Sequence, residues 1–194
     1  MKVLLLSAYP EALTGAFAAT ADEVAVTQDR LTGEPPDVDF IVSYGYRHIL
    51  KEPLLSRFEG RIINMHISLL PWNRGADPNF WSWFDRTPKG VTLHRIDASI
   101  DTGDVLAQRA ASFGEGETLR SSYARLQQIA AELFAASWPQ IRVGALDAVP
   151  QTGFGSCHRL KDKAEWWARL PLGHDTPVSV IEDLGRAEAA AHGR

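Results

Sequence analysis

Short apolar runs alternate with helix-like stretches over the first third of the chain. Four of these runs are typical of strands, at residues 3–6, 24–26, 39–43 and 62–65. The stretches at residues 11–21 and 48–58 favour helices. Strands and helices in alternation predict an α/β fold with a mostly parallel sheet.

The pattern changes after Pro71. Residues 72–84 are rich in aromatic side chains, whereas residues 91–96 alternate between apolar and polar positions, as a half-buried strand does. Residues 101–103 predict a turn, and residues 105–108 predict a further strand. The sequence therefore predicts that further strands of the sheet follow the aromatic segment.

A long amphipathic helix is predicted next. It opens at Thr118, and Gly144 is its better stop signal. Its apolar stripe consists of Leu119, Tyr123, Leu126, Ile129, Leu133 and Phe134. Beyond Pro150 the pattern predicts an extended segment and two short helices, at residues 151–158, 162–170 and 178–191.

Composition limits the classes of function. The chain has 194 residues, a net charge of -4 and a pI of about 5.9, which suits one domain and does not resemble a nucleic-acid-binding protein. Its single cysteine, Cys157, excludes an intramolecular disulfide, and no apolar run is long enough for a membrane span. We therefore expect a cytoplasmic protein with neither a nucleic-acid nor a membrane partner.

The sharpest candidate site is Asn64-Met65-His66, at the end of the strand over residues 62–65. Side chains two positions apart on a strand share a face, so Asn64 and His66 emerge together. Ligands of open α/β sheets bind beyond the carboxyl ends of the strands. The pair is either part of a binding site or a satisfied pair of polar residues at a strand end, and the spacing alone does not decide.

Acidic residues follow the alternating segment at positions 97, 101 and 104. Such a loop can orient a histidine, bind a metal or face water. A metal site needs a converging ligand set, and here there is neither a calcium-loop pattern nor a metal-type histidine spacing, so we expect no metal.

Arg74-Gly75 is a third feature, inside the aromatic segment. Gly75 permits a positive φ or the close approach of a ligand, and Arg74 can pair with an anionic group of a substrate. The alternative is a surface turn over the core. His94, on the alternating strand, is expected to be structural.

Taken in order, these motifs resemble the formyltransferases that use 10-formyltetrahydrofolate, which include glycinamide ribonucleotide, methionyl-tRNA and sugar N-formyltransferases. The motifs are Asn64-x-His66-x-Ser68-Leu69-Leu70-Pro71, Arg74-Gly75, Gly90-Val91-Thr92 and Asp101-Thr102-Gly103, and the likeness runs from about residue 40 to 145. Residues 44–49 and 92–95 look most like the branch that formylates amino sugars on nucleotide carriers.

The resemblance implies a Rossmann-like formyltransferase fold with a mostly parallel central sheet, abbreviated at its N-terminus. Residues 1–148 are the expected catalytic domain, and residues 149–194 a short C-terminal extension that packs on the core or makes a homodimer contact. The acceptor is then expected to be a small-molecule amine. The acidic pI and the lack of the C-terminal domain of tRNA formyltransferases argue against tRNA.

The resemblance also implies roles for individual residues. Asn64 is expected to stabilise the oxyanion and His66 to take the proton of the amine, while Asp101 orients His66 and raises its pKa. Arg74 and Gly75 are expected at the acceptor. The residues expected to line the site of 10-formyltetrahydrofolate are His48, Ile49, Leu50, Ser68, Leu69, Leu70, Pro71, Asp97, Ala98, Ser99 and Ile100.

Three functions compete at this point. The first is an N-formyltransferase, a transferase of one-carbon groups, acting on a nucleotide-linked amino sugar. The second is a hydrolase that releases formate from formyltetrahydrofolate with the same three residues. The third is a folate-binding module without catalysis, which has no need of His66 beside Asp101.

Overall fold

The computed structural model describes residues 1–34 and 36–192. It has eight strands: β1 (Lys2–Ser7), β2 (Glu23–Thr27), β3 (Phe40–Tyr44), β4 (Ile62–His66), β5 (Arg74–Gly75), β6 (Gly90–Arg95), β7 (Val105–Ala110) and β8 (Cys157–His158). Six of them form one sheet in the order β2-β1-β3-β4-β6-β7, and β5 pairs separately with β8. The first four strands of this order are parallel, whereas β6 and β7 are antiparallel to their neighbours. The predicted mostly parallel α/β sheet is confirmed.

Helices cover this sheet and continue the chain beyond it. They are α1 (Thr14–Ala19), α2 (Leu54–Arg57), α3 (Pro78–Phe84), α4 (Leu119–Ile141), α5 (Ala164–Trp167) and α6 (Val178–Ala191). Three 3-10 turns lie at Pro10–Ala12, Leu160–Lys163 and Gly173–Asp175. Within residues 1–34 and 36–192, none of the helices combines the length and the apolar character of a membrane span.

Helix α4 builds the main core. Thr118 caps it by accepting the N–H of Ser121 at 3.1 Å, as expected for the residue that opens a helix. Every member of its predicted apolar stripe is buried except Tyr123, which is partly buried. Phe134 and Trp138 are fully buried and pack on Phe17 beneath β1 and β3. The helix ends at Ile141, and Gly144 follows with a φ of 69°.

Two predictions about elements were wrong. Residues 48–53 are not helical, and only Leu54–Arg57 forms a turn of helix, because a proline at position 53 disfavours helical dihedrals in the residue before it. Strand β6 is not half-buried: Gly90 to His94 are all buried. Its apolar positions face α4, while Thr92 and His94 are covered by other polar groups.

The connection from β2 to β3 contains neither helix nor strand at residues 28–34 and 36–39. Parallel strands are usually joined by a crossover helix. This short connection agrees with the abbreviated N-terminal part of the fold that the sequence predicts.

The C-terminal extension shares a hydrophobic cluster with the rest of the chain. Trp166 packs on Phe84 with ring centroids 4.6 Å apart, and Ile181 of α6 is fully buried in the same cluster. Helix α6 lies so close to α3 that a Cβ on Gly185 would meet the Phe84 carbonyl oxygen at 1.9 Å. Residues 193 and 194 of the extension lie outside the described residues.

Candidate active site

The site begins with the register between β4 and β6. Ile63 and Met65 point to the core beside α4, so Asn64 and His66 point to the opposite face. The antiparallel pairing places Asn64 opposite His94. Polar side chains from two neighbouring strands are thereby gathered on one face of the sheet.

Asp101 lies among these side chains. Its Oδ1 accepts a hydrogen bond from Asn64 Nδ2 at 3.3 Å and lies 3.5 Å from His94 Nε2. Its Oδ2 accepts the backbone N–H of Gly75 at 2.8 Å and lies 3.5 Å from His66 Nδ1. The Asp101 carboxylate therefore contacts Asn64 and His66, the other two residues expected to carry the chemistry, and also His94 and Gly75.

The ring of His66 is buried and held at one nitrogen. Its Nε2 donates to the Asn73 carbonyl at 2.9 Å, so Nδ1, on the side of Asp101, is the nitrogen that can gain or lose a proton. Burial lowers the pKa of His66 below its usual value, and the opposing effects of Asp101 and of the Asn73 carbonyl do not offset it. Asp101 does raise the pKa of His66, as expected. The pKa is nevertheless lower than usual, because burial of the ring has a larger effect than the charge of Asp101.

Asp101 shows the opposite balance. Burial disfavours its charged form, but the neighbouring His66 and His94 and the Gly75 N–H together outweigh that effect, and the pKa of Asp101 lies well below its usual range. At neutral pH the site therefore combines an ionised carboxylate with a neutral His66. That is the protonation state required of a general base beside a group that stabilises its charged form.

The sequence did not identify His94 as part of the site. Its Nδ1 donates to the Arg95 carbonyl at 2.8 Å, so in the neutral ring Nε2 accepts the N–H of Asn64, at 3.2 Å. Both N–H groups of Asn64 are then engaged, one with His94 and one with Asp101. The sequence signals for His94 were its alternation with Leu93 and its place in the segment 92–95 that resembles the sugar branch, and neither reveals the partner strand.

A cavity of about 300 Å³ opens beside these groups. Four tyrosines line it, at positions 9, 44, 46 and 123, and the hydroxyl of Tyr123 donates to that of Tyr9 at 3.2 Å. Tyr44 stacks at a tilt on Tyr9, with ring centroids 5.7 Å apart. The lining residues are Tyr9, Tyr44, Gly45, Tyr46, Asn64, Met65, His66, Ile67, Gly75, Asp77, Pro78, Asp101 and Tyr123.

A second cavity, of about 350 Å³, adjoins the first at Tyr46. His48, Ile49 and Leu50 line it together with the loop after β2, and Ile49 is exposed. The loop over residues 97–100 is exposed as well, and Asp97 holds it by accepting the hydroxyl of Thr102 at 2.7 Å. Two of the three segments expected to line the folate site thus present accessible surface.

Residues 68–71 are placed differently. The Ser68 carbonyl accepts the hydroxyl of Thr92 at 2.8 Å, and the Leu70 N–H donates to the same hydroxyl at 3.1 Å. Gln108 donates to the Leu70 carbonyl at 2.8 Å. These bonds tie the segment to β6 and β7, and neither of the two cavities is lined by it. Its part in folate binding stays a prediction.

Known proteins with a similar sequence or structure indicate the family to which this chain belongs. The model of the family described as formyl transferase matches residues 18–137, which include Asn64, His66 and Asp101. The chain belongs to the formyl transferase family. The solved structure of the formyltransferase PseJ from Anoxybacillus kamchatkensis, in complex with UDP-4,6-dideoxy-4-formamido-L-AltNAc and tetrahydrofolate, is similar over 95% of this chain and 100% of that one, with 44% identity and a TM-score of 0.91.

Two more distant formyl transferases share the fold. A sugar N-formyltransferase from Shewanella sp. has 18% identity and a TM-score of 0.74, and the match covers 95% of this chain and 86% of that one. Phosphoribosylglycinamide formyltransferase from Bacillus halodurans has 24% identity and a TM-score of 0.62, and the match covers 74% of this chain and 94% of that one. The predicted formyltransferase fold is therefore confirmed.

Proposed function

We propose that this formyl transferase moves the formyl group of 10-formyltetrahydrofolate to the primary amine of a nucleotide-linked amino sugar. The observation that carries the proposal is the neutral His66 beside the ionised Asp101 at the edge of a cavity large enough for a sugar. The similarity to PseJ, whose complex contains a UDP-linked formamido sugar and tetrahydrofolate, supports the same acceptor class.

The chemistry follows from these groups. The neutral amine attacks the formyl carbon, a C–N bond forms, and negative charge develops on the formyl oxygen. His66 Nδ1 takes the proton of the amine, and Asp101 stabilises the resulting imidazolium at 3.5 Å. When the tetrahedral intermediate collapses, the bond from carbon to N10 of the folate breaks, and N10 receives the proton that His66 took from the amine.

Asn64 is proposed to stabilise the oxyanion with its amide. Both of its N–H groups are engaged by His94 and Asp101, so one bond must be exchanged as the oxyanion develops. The oxyanion must therefore replace one of these two acceptors and accept the N–H that is freed. Loss of an oxyanion donor lowers turnover about 10²–10³-fold in other enzymes.

The two cavities suit the two substrates. The tyrosine rings of the first offer apolar faces with hydroxyl groups, a combination that fits the C–H surface and hydroxyls of a sugar. We place the folate beside residues 48–50 and 97–100, whose exposed Ile49 and Ile100 offer apolar contact. Arg74 is proposed to contact an anionic part of the acceptor. The single cysteine is consistent with a cytoplasmic enzyme.

The test measures tetrahydrofolate release from 10-formyltetrahydrofolate with a panel of UDP- and dTDP-linked amino sugars. We expect release only with an amine present, and near-complete loss in Asn64→Ala, His66→Ala and Asp101→Ala. His192→Ala, on an exposed helix end, is the control and keeps full activity. Formate release without any amine would instead establish a hydrolase, and folate binding without turnover of any amine would establish a binding module.

A further inference from the structure

The turn that carries Asp101 has an unusual backbone. Asp101 has a φ of 52°, in the left-handed region that residues with a side chain rarely adopt. Gly103 lies directly against the end of β6, where a Cβ would meet the Arg95 carbonyl oxygen at 2.0 Å. Such a turn persists only where its surroundings hold it.

One side chain of the C-terminal extension holds this turn. Gln151 Nε2 donates to the carbonyl of Asp101 at 2.9 Å and to that of Gly103 at 2.8 Å. Its Oε1 accepts from Nε and Nη2 of Arg74 at 3.1 and 2.6 Å. These partners fix the orientation of the amide, since the reversed amide would set oxygen against two carbonyls and its NH₂ against a guanidinium.

The extension reaches Asp101 by a second path. Strand β8 pairs with β5, where the Arg74 N–H donates to the Ser156 carbonyl at 2.9 Å and the Ala76 N–H to the His158 carbonyl at 2.9 Å. This pairing sets the position of Gly75, whose N–H donates to the Asp101 carboxylate at 2.8 Å. The backbone and the carboxylate of Asp101 are therefore both held by elements beyond residue 150.

We propose that Gln151 is a positioning residue for formyl transfer, which keeps the carboxylate of Asp101 between His66 and His94. The activity expected of the variants depends on the proposed function, whereas the contacts of Gln151 with the turn do not. It assigns to the extension a part in the active site, in place of a role limited to packing. The family model ends at residue 137, before Gln151, whereas the similarity to PseJ covers 95% of the chain.

Gln151→Ala leaves the carbonyls of Asp101 and Gly103 without their donor and Arg74 without its acceptor. We expect the turn to relax from its positive φ and to carry the carboxylate away from His66. A misplacement of about 1 Å lowers turnover about 10²-fold in other enzymes. Gln151 itself lines neither cavity, but it holds Arg74, so we expect kcat to fall about 10–100-fold while the KM of the folate changes less than about 3-fold.

The experiment compares the wild type, Gln151→Ala, Gln151→Glu and Thr152→Ala by the same transfer assay and by NMR titration of the His66 ring. Thr152 is the exposed neighbour and serves as the matched control. Gln151→Glu still accepts from Arg74 but has no N–H for the turn, so it should behave as Gln151→Ala does. In both variants the His66 ring should lose its nearest carboxylate and titrate at lower pH than in the wild type, as it should in Asp101→Asn.

The outcomes separate the two hypotheses. A folded Gln151→Ala that keeps both the wild-type kcat and the wild-type titration of His66 overturns the positioning role. If the wild type transfers formyl to no amine, the proposed function is overturned. If Gln151→Ala nevertheless shifts the titration of His66, the role of Gln151 in positioning Asp101 stands. If Gln151→Ala does not fold, Gln151→Glu decides by the same two readouts.

Discussion

Replacing Gly75 by alanine tests whether the pairing of β5 with β8 controls the catalytic carboxylate. Gly75 has a φ of 86°, and a Cβ at this position would meet the His158 carbonyl oxygen at 2.2 Å. The strands must then move apart. The N–H of Gly75, which lies 2.8 Å from Asp101 Oδ2, moves with them.

The cost can be divided into two parts. The positive φ costs an alanine about 1–2 kcal/mol wherever it occurs. Separation of the strands also loses two backbone hydrogen bonds, at about 1 kcal/mol each, and the charge-assisted bond to Asp101, at about 2 kcal/mol. The total loss is therefore about 4 kcal/mol beyond the backbone strain, and we expect turnover to fall about 10²-fold as Asp101 shifts.

Gly153→Ala is the matched control, since Gly153 lies in the same extension with a φ of 82° and a Cβ at this position would have no neighbouring atom within 4 Å. It should lose only the cost of the backbone strain and keep its turnover. Urea denaturation followed by circular dichroism measures the stability, and tetrahydrofolate release measures the activity. Equal stability and equal turnover in Gly75→Ala and Gly153→Ala would refute the reasoning.

Four further predictions concern Asp22, His66 and Tyr123. Asp22→Ala should lower the free energy of unfolding by about 3–5 kcal/mol, because the Asp22 side chain is fully buried and pairs with Arg142 at 2.6 Å and with the Trp138 ring N–H at 2.8 Å; equal urea midpoints would contradict this. Since these partners lower the pKa of Asp22, its stabilising effect is present above the unfolded pKa and is lost as the pH falls below it, so Asp22→Asn should flatten the acid limb of stability. As the pH falls, kcat/KM should decrease with a midpoint below pH 6.5, because the neutral His66 ring is the base and burial lowers its pKa. A midpoint above pH 6.5 in the pH–rate profile would exclude His66 as the base. Tyr123→Phe should raise the KM of the acceptor about 10-fold and leave that of the folate unchanged, because its hydroxyl lines only the first cavity, and equal acceptor KM values would exclude that contact.

The sequence was most informative where the chemistry depends on local spacing. The period of two along a strand put Asn64 and His66 on one face, and the ordered motifs added Asp101 and the folate-dependent family. The helix from Thr118 and the final helix over residues 178–191 also followed from caps and apolar periodicity. The predicted helix over residues 48–58 is wrong for residues 48–53, which form a loop that lines the second cavity.

What the sequence determined by itself was the order of elements, the face that carries Asn64 and His66, and the reaction class. What only the tertiary structure decided was how distant segments meet. The pairing of β4 with β6 brings His94 to Asn64, 30 positions away, and Gln151 reaches the Asp101 carbonyl from 50 positions away. The tertiary structure also decided that the pKa of His66 is lowered, because burial depends on every segment that covers the ring. The sequence motif shows only the Asp101 carboxylate, which raises this pKa.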